Sequence, residues 1–401
     1  MHPEVFIHMK LRYKYRIYPN DNQITQLRKS MGSTRWIWNY MLNQNNIEYA
    51  STKKFIWYYD MAMQLPELKI AYPWLKETTA QVLQQSLKEL DGALKHVKIR
   101  AYPKFKKKGS ESGIRYVQHV KFTDKKVYLP KIGWINIIFD RSLPINHSSV
   151  TVTCDVDRWF ISVVCEVEDQ QQVLIDRDNC VGIDLGIKAF AVTSDQEIIP
   201  SPKFLKQSLN KLKWKQRKLS HRKIGSNNRN KERIKVAKLH RKIRNQRLNF
   251  LHQTSRRLVN IYDLICCEDL KTKDLLKRKN RAMNRAISDQ GWSMFLNMLK
   301  YKCQLYGKHF SQVSQWAAST KTCHVCNHKH TGFGLGIRIW ICSNCKATLD
   351  RDLNAAQNIA FWGPLIIDNS LFKNTVGTTE IEACGDVPLT SMKQESMPQS
   401  A

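Results

Sequence analysis

The chain is short of acids and has no long apolar run. Asp and Glu number 34 against 65 Lys and Arg, a formal charge of +31. Such an excess repels itself unless a polyanion neutralises it, and nucleic acid fits that role better than a membrane surface. No apolar stretch reaches the length that spans a bilayer. The N-terminus lacks the apolar core of a secretory signal, so the expectation is a cytoplasmic protein, nucleoid-associated when bound to DNA. A disulfide framework is missing too. Of eleven cysteines, Cys154, Cys165, Cys180, Cys266, Cys267, Cys303 and Cys384 are scattered or lie in apolar runs, as reduced thiols do.

The other four cysteines are paired. Cys323/Cys326 and Cys342/Cys345 form two Cys-x-x-Cys knuckles, fifteen residues apart. Each knuckle sets two thiolates on one turn, and two such turns complete a tetrahedron around one structural Zn²⁺. Beyond the second knuckle come Asp350 and Asp352, then an Ala-rich run ending at Gly363-Pro364, a helix with a stop signal. Asp352 stands where an N-cap would stand. Alone it reads as a cap; it could equally be a metal-binding carboxylate at the positive end of a helix dipole.

In chain order, residues 9–18 alternate basic and apolar, a strand with one wet, positive face. Asn20 and Gln23 open a helix with a capping box, continued by Ile24, Leu27, Met31 and the segment 35–40. A further helix opens at Thr78 with Gln81 three residues on. It carries Leu83, Leu87, Leu90, Leu94 and Val97 on one face, read as core. Residues 20–99 make a small helical domain. From 100 the pattern changes: Tyr102, Lys104, Phe105, Lys106 and Lys107 interleave aromatics with cations, either a solvated face or a nucleic-acid contact. Short strands follow at 115–122, 126–129, 134–139, 149–155 and 159–167, the last two a hairpin at Asp157-Arg158. They suggest a small barrel that strand 9–18 completes.

Asp184 lies in an apolar strand, Gly182-Ile-Asp-Leu-Gly186, where a lone carboxylate is costly without a cation beside it. Such a strand is the type that opens ribonuclease-H-like folds. Residues 203–249 hold eighteen Lys or Arg against one acid, Glu232. Their period is helical and broken at Gly225-Ser-Asn-Asn228, which predicts two antiparallel helices with phosphate-binding faces that include Lys211, Lys215, Arg217 and Arg222. Another apolar strand ends in Glu268 and Asp269, where open α/β sheets place chemistry. A basic linker over 271–285 and a helix from Ser288, with Trp292, Phe295, Leu296, Leu299 and Tyr306 on one face, precede the knuckles. Residues 366–401 show no periodicity and are expected to be disordered.

Asp184, Glu268 and Asp352 share one logic. Three carboxylates from separate elements can hold two Mg²⁺ ions, one to activate water and one to stabilise a leaving 3′ oxygen.

Through Gly182-Ile-Asp184-Leu-Gly, Cys267-Glu268-Asp269-Leu, Ser288-Asp-Gln-Gly-Trp292, the two knuckles and Asp350-Arg-Asp352-Leu-Asn-Ala-Ala, the chain resembles the TnpB family, together with Tyr15-Arg-Ile-Tyr-Pro19 and Tyr72-Pro-Trp-Leu-Lys76. TnpB proteins are insertion-sequence-encoded RNA-guided nucleases related to type V CRISPR effectors. The resemblance implies a multidomain α/β plus all-β chain. Residues 9–19 with 100–172 would form a wedge β-barrel, and 20–99 a helical recognition domain. Residues 176–320 with 347–366 would form a RuvC-like nuclease domain containing the basic helical pair 203–250. A zinc ribbon would occupy 321–346, and 367–401 a disordered tail. It implies a guide RNA from the end of the element, a double-stranded DNA target read beside a short motif, Asp184, Glu268 and Asp352 as the catalytic triad, a monomer, and a role in transposon maintenance. Gln312–Ala318 departs from the family's more apolar strand and aromatic-Pro-Ser run. Arg35, Trp36, Trp38 and Asn39 are candidates for reading the motif; packing and phosphate contact explain them equally well.

Two other functions share these features. Loss of any of the three acids would favour a cleavage-silent, guide-dependent repressor, and all three are present. A single-strand transposase needs a His-hydrophobic-His pair and a tyrosine nucleophile, whereas His328-Lys329-His330 has Lys in the middle. What remains of that reading is a transposase accessory that binds DNA.

Overall fold

The computed structural model describes residues 8–373, apart from 98, 100, 110–112, 169, 278–279 and 331–335. Two compact units organise the chain. One gathers residues up to Gln171 with Ser201–Arg256 and Thr272–Gly307; the other gathers Gln172–Pro200, Arg257–Lys271 and the chain from Lys308.

The first unit opens with β1 (His8–Tyr18), on which Lys10, Arg12 and Lys14 are exposed while Tyr15 and Ile17 are buried. The expected wet, positive face is there. α1 (Asp21–Thr52) starts at the capping box: the Asn20 side chain accepts from the Gln23 amide and the Gln23 side chain from the Asn20 amide. α2 (Tyr58–Met63), α3 (Leu65–Ala71), a 3-10 turn (Pro73–Glu77) and α4 (Ala80–Lys95) follow. Leu83, Leu87, Leu90 and Leu94 pack against Ile37, Met41 and Leu42. α4 begins at Ala80 rather than Thr78, because Gln81 turns aside to hydrogen-bond Gln118.

The strands β2 (Ile114–Tyr116), β3 (Lys121–Phe122), β4 (Lys126–Leu129), β5 (Gly133–Ile138), β6 (His147–Asp155) and β7 (Arg158–Glu168) lie close to the expected boundaries, except that 115–122 is two strands. They join β1 in the order β2-β6-β7-β1-β5-β4-β3, every neighbour antiparallel. β1 is central, and the sheet stays open as a half barrel: β2 and β3 remain its edges.

The basic run forms α5 (Phe204–Ser220) and α6 (Asn227–Ile261), with Leu212, Val236, Leu239 and Ile243 buried between them. Buried Arg241 binds Asp157 at 2.5 Å, Lys238 binds the same carboxylate at 2.7 Å, and Arg244 pairs with Asp155. These ion pairs tie α6 to the β6–β7 turn, so the basic helices group with the half barrel in the first unit. The stretch expected as a linker contains α7 (Thr272–Leu275) and α8 (Arg281–Gln290), the latter capped by Asn280. Ser288 therefore lies inside α8. The next helix, α9 (Trp292–Leu305), starts after Gly291, whose φ of 73° breaks the chain direction between the two.

The second unit is built on β8 (Cys180–Leu185), β9 (Ala189–Thr193), β10 (Ile198–Pro200), β11 (Leu264–Glu268) and β12 (His309–Val313). Their order is β10-β9-β8-β11-β12, antiparallel on the β10 side and parallel from β8 to β12, a ribonuclease-H-like sheet. A small hairpin, β13 (Ile339–Ile341) and β14 (Thr348–Asp350), precedes α10 (Arg351–Trp362). Part of the expected disordered tail is ordered: Phe372 is buried and bridges to Ile175, and the Ile175 amide donates to the Leu371 carbonyl. Residues 374–401 lie outside the described residues. Among the described residues no helix is long and apolar enough to cross a membrane.

Candidate active site and four-cysteine cluster

Parallel pairing of β8 and β11 sets Cys267 opposite Ile183. One step further along both strands stand Asp184 and Glu268, so the register alone brings two carboxylates to one edge of the sheet. Burial pushes the Asp184 carboxyl up to about 7, helped by the negative charges of Asp352 and Glu268, while Arg351 and Arg338 act the other way. Glu268 is pushed up to about 6 by burial and by Asp269.

The third acid arrives on α10. The N-cap is Asp350, whose side chain accepts from the amides of Asp352 and Leu353. Asp352 is thus in the first turn rather than at the cap, and its carboxylate is free of capping duty. It is held instead by Arg338 and by Arg351 at 3.2 Å. α10 lies directly on β8. A Cβ on Gly182 would stand 2.1 Å from the Ala356 carbonyl oxygen and 2.3 Å from the Ala360 nitrogen, so only glycine lets helix and strand approach this closely. Gly363 does the same against Cys266, 2.1 Å from its sulfur, and keeps right-handed helical angles (φ −58°) instead of the left-handed turn of many helix ends.

The four cysteines converge, each offering a sulfur within 4.8 Å of the others. Cys323 and Cys345 sulfurs are 3.7 Å apart, Cys326 and Cys342 3.6 Å. A tetrahedron with Zn–S bonds of about 2.3 Å has edges of about 3.8 Å, so the thiols already span a zinc-sized cage. Both knuckles are built alike. Asn327 and Lys346, the residue after each second cysteine, take positive φ (57° and 61°) and donate their amides to the Cys323 and Cys342 carbonyls. The His328 amide and the Asn344 side chain pull Cys326 down to about 6, while burial pushes Cys323 up. The three acids, by contrast, form no cluster within 4.8 Å among the described residues.

The cysteine cluster and the acids are mechanically linked. Asn354 and Asn358, one turn apart on α10, both donate to the carbonyls of Ser319 and Thr322 at the entry to the first knuckle, and Asn354 accepts from the His324 amide. The Arg351 amide donates to the Arg338 carbonyl at 2.7 Å. The helix that carries Asp352 is therefore gripped by the ribbon on two sides.

Sequence reasoning missed Arg338, Arg351, Asn354 and Asn358. Two Asn at i, i+4 on a helix after an acid were a readable signal. Arg338, in the long arm between knuckles, offered none.

The nucleic-acid candidates divide. Lys211, Arg217 and Arg222 are exposed and make no ion pair among the described residues, while Lys215 is half-buried with its ammonium 5.6 Å from the Trp214 ring. Lys104 is exposed. Tyr102 donates its hydroxyl to Asn46, and Lys106 lies 3.7 Å over Trp38. Asn39 is engaged at both ends: its side-chain nitrogen donates to the Lys106 carbonyl and its oxygen accepts from the Lys106 amide. Trp38 is buried and donates to the Lys104 carbonyl. These two side chains hold the extended segment 104–106. Arg35 and Trp36 line a cavity, and Lys107 is exposed.

A protein of Streptomyces pristinaespiralis named "Putative RNA-guided DNA endonuclease" is 34% identical over 361 residues, covering 88% of this chain and 89% of its own. The chain belongs to the TnpB family. The OrfB family model described as "Probable transposase" matches residues 162–279 of this TnpB, and the "Cas12f1-like, TNB domain" matches 292–359. A model described as "Helix-turn-helix domain" matches 9–54, although the structure there is a strand and one unbroken helix. InsQ of Escherichia coli strain K12, named as the same kind of endonuclease, is 31% identical over 88% of this chain and 92% of its own. The Cas12f1 chain of a Cas12f1–sgRNA–target DNA complex has the same fold, with a TM-score of 0.57 at 14% identity over 88% of this chain and 99% of that one.

Proposed function

We propose that this TnpB is an RNA-guided DNA endonuclease of an insertion sequence. It binds a guide RNA from the end of its own element, pairs it with one strand of a double-stranded target beside a short motif, and hydrolyses phosphodiester bonds. It acts as a monomer in the cytoplasm, on the nucleoid, and supports maintenance of the transposon. The observation that carries this reading is the register that sets Asp184 and Glu268 side by side on parallel strands, with α10 pressed onto Gly182 and the charge of Asp352 felt at Asp184.

Asp184, Glu268 and Asp352 would hold Mg²⁺; their oxygen-only donor set suits a hard cation, and the raised Asp184 carboxyl is that of acids awaiting a positive charge. Bound Mg²⁺ would supply an activated water and stabilise the leaving 3′ oxygen. Arg338 and Arg351 pair with Asp352 until then. The four thiolates would take one structural Zn²⁺ and hold α10 through Asn354 and Asn358. Exposed cations of α5 and of 102–107 would track the phosphates, while base pairing supplies sequence.

The test is cleavage. The protein, co-expressed with its element's flanking RNA, is given Mg²⁺ and a plasmid library randomised beside a guide-matched target. Guide-dependent linearisation, absent in Asp184→Ala, is expected. RNA binding without cutting in either Mg²⁺ or Mn²⁺ would point to the repressor instead.

A further inference from the structure

A cavity of about 620 Å³ opens on α1 and the 3-10 turn of the first unit. Its wall is aromatic. Trp36 stacks on Tyr40 at 5.0 Å and meets Trp74 edge-on at 5.2 Å, and Tyr72 tilts against it at 4.6 Å. Trp36 and Tyr40 back onto the helical core, while Trp74 is 40% exposed, so the ring cluster keeps an open face. The floor is Gly32, where an added Cβ would find nothing nearer than an Arg35 nitrogen at 3.9 Å. At the rim Lys29 and Glu77 neutralise each other at 2.8 Å. Arg35 is half-buried, and its guanidinium makes no hydrogen bond or ion pair among the described residues. Asn39 is committed to Lys106 and serves only as wall.

Such a wall suits a ligand that is flat, apolar on its faces and attached to an anion. A nucleobase with its phosphate has that form, and the volume is that of a small-molecule site. An aromatic peptide side chain would leave the guanidinium unanswered. We propose that this cavity holds one unpaired base of a DNA strand, its ring against Trp36 and Trp74 and its phosphate on Arg35. The choice of DNA rests on the reading above. A guide pairing with its target occupies its own bases, and the displaced DNA strand keeps its bases free.

The test uses the full-length protein and single-stranded DNA carrying 5-iodouracil, with matched RNA as a second arm. After irradiation, the cross-linked peptide is sequenced by mass spectrometry. Cross-links are expected on Trp36 or Trp74 with DNA. They should fall at least tenfold in Gly32→Leu, which fills the floor, and in Trp74→Ala and Arg35→Ala. Trp74→Phe should restore most of the yield. Should Gly32→Leu melt at a much lower temperature than wild type, the other two variants still decide. Cross-links elsewhere only, yields unchanged in the variants, or capture of RNA but not DNA would overturn the proposal. Guided cleavage is assayed in parallel: a wild type that cross-links here but never cuts defeats the functional reading and leaves the cavity standing.

Discussion

Asp184 sits in its folded site at a cost. Its carboxyl is raised from an ordinary 3.8 to about 7, so between those values the folded state binds a proton the unfolded state has released. Stability must then fall as pH rises from about 4 to 7 and level off above, a penalty on the order of 4 kcal/mol. Asp184→Asn removes that penalty. Without added Mg²⁺, its melting temperature should exceed wild type by several degrees at pH 8, and the gain should shrink toward pH 4.5; thermal melts across that range check it. Saturating Mg²⁺ should reverse the order, because only wild type gains the cation. Cleavage by the same variant should drop at least a thousandfold. No sequence window could show this balance, since the charges that set it come from Glu268, Asp352, Arg338 and Arg351. That Asp184 is out of place was legible, because a lone acid in an apolar strand is anomalous in its own decapeptide.

Elements with local chemistry were legible in the sequence and elements defined by remote partners were not. The Asn20/Gln23 box, the Cys pairs and the β6–β7 hairpin carry their instructions within a few residues, and each appears where expected. α8 was hidden because its charges, Arg281 and Arg285, continue the basic run before it, while its apolar face is only Ala282, Ile287 and neighbours. The half barrel was read as closed because edge pairing is a long-range outcome. Asp350 and Asp352 are both acids before a helix, and only the backbone geometry shows which one caps. At this scale the β8–α10 contact is the most exposed to change. Gly182→Ala forces a methyl into helix backbone, so it should cost more than 3 kcal/mol or abolish soluble expression, read by chemical denaturation. The cysteine cluster should bind one zinc per chain by elemental analysis. Cys345→Ser should lose that zinc and, through Asn354 and Asn358, most cleavage, although every acid is intact.

At the scale of the whole molecule the formal charge of +31 dominates. Binding of RNA should release many counterions, so affinity should fall by at least a hundredfold between 50 and 200 mM salt, on the order expected for several phosphate contacts. Replacing Lys211, Arg217 and Arg222 by Ala should flatten that slope by about two to three; filter binding across a salt series checks both. The nucleic-acid role was legible from composition alone. The grouping of α5 and α6 with the half barrel was not, because it depends on Asp155 and Asp157 meeting Lys238, Arg241 and Arg244 across more than eighty residues of sequence.

The position of Asp352 behind the ribbon also sets a clock. Asp184 and Glu268 leave the ribosome first; the third acid follows roughly ten seconds later at ordinary elongation rates, together with the cysteines that steady its helix. Until then the nascent chain holds only two of the three acids, however well its earlier parts have folded. On the reading proposed above, a chain released before Lys321 carries the basic surface without the third acid, and it should bind nucleic acid without cutting it.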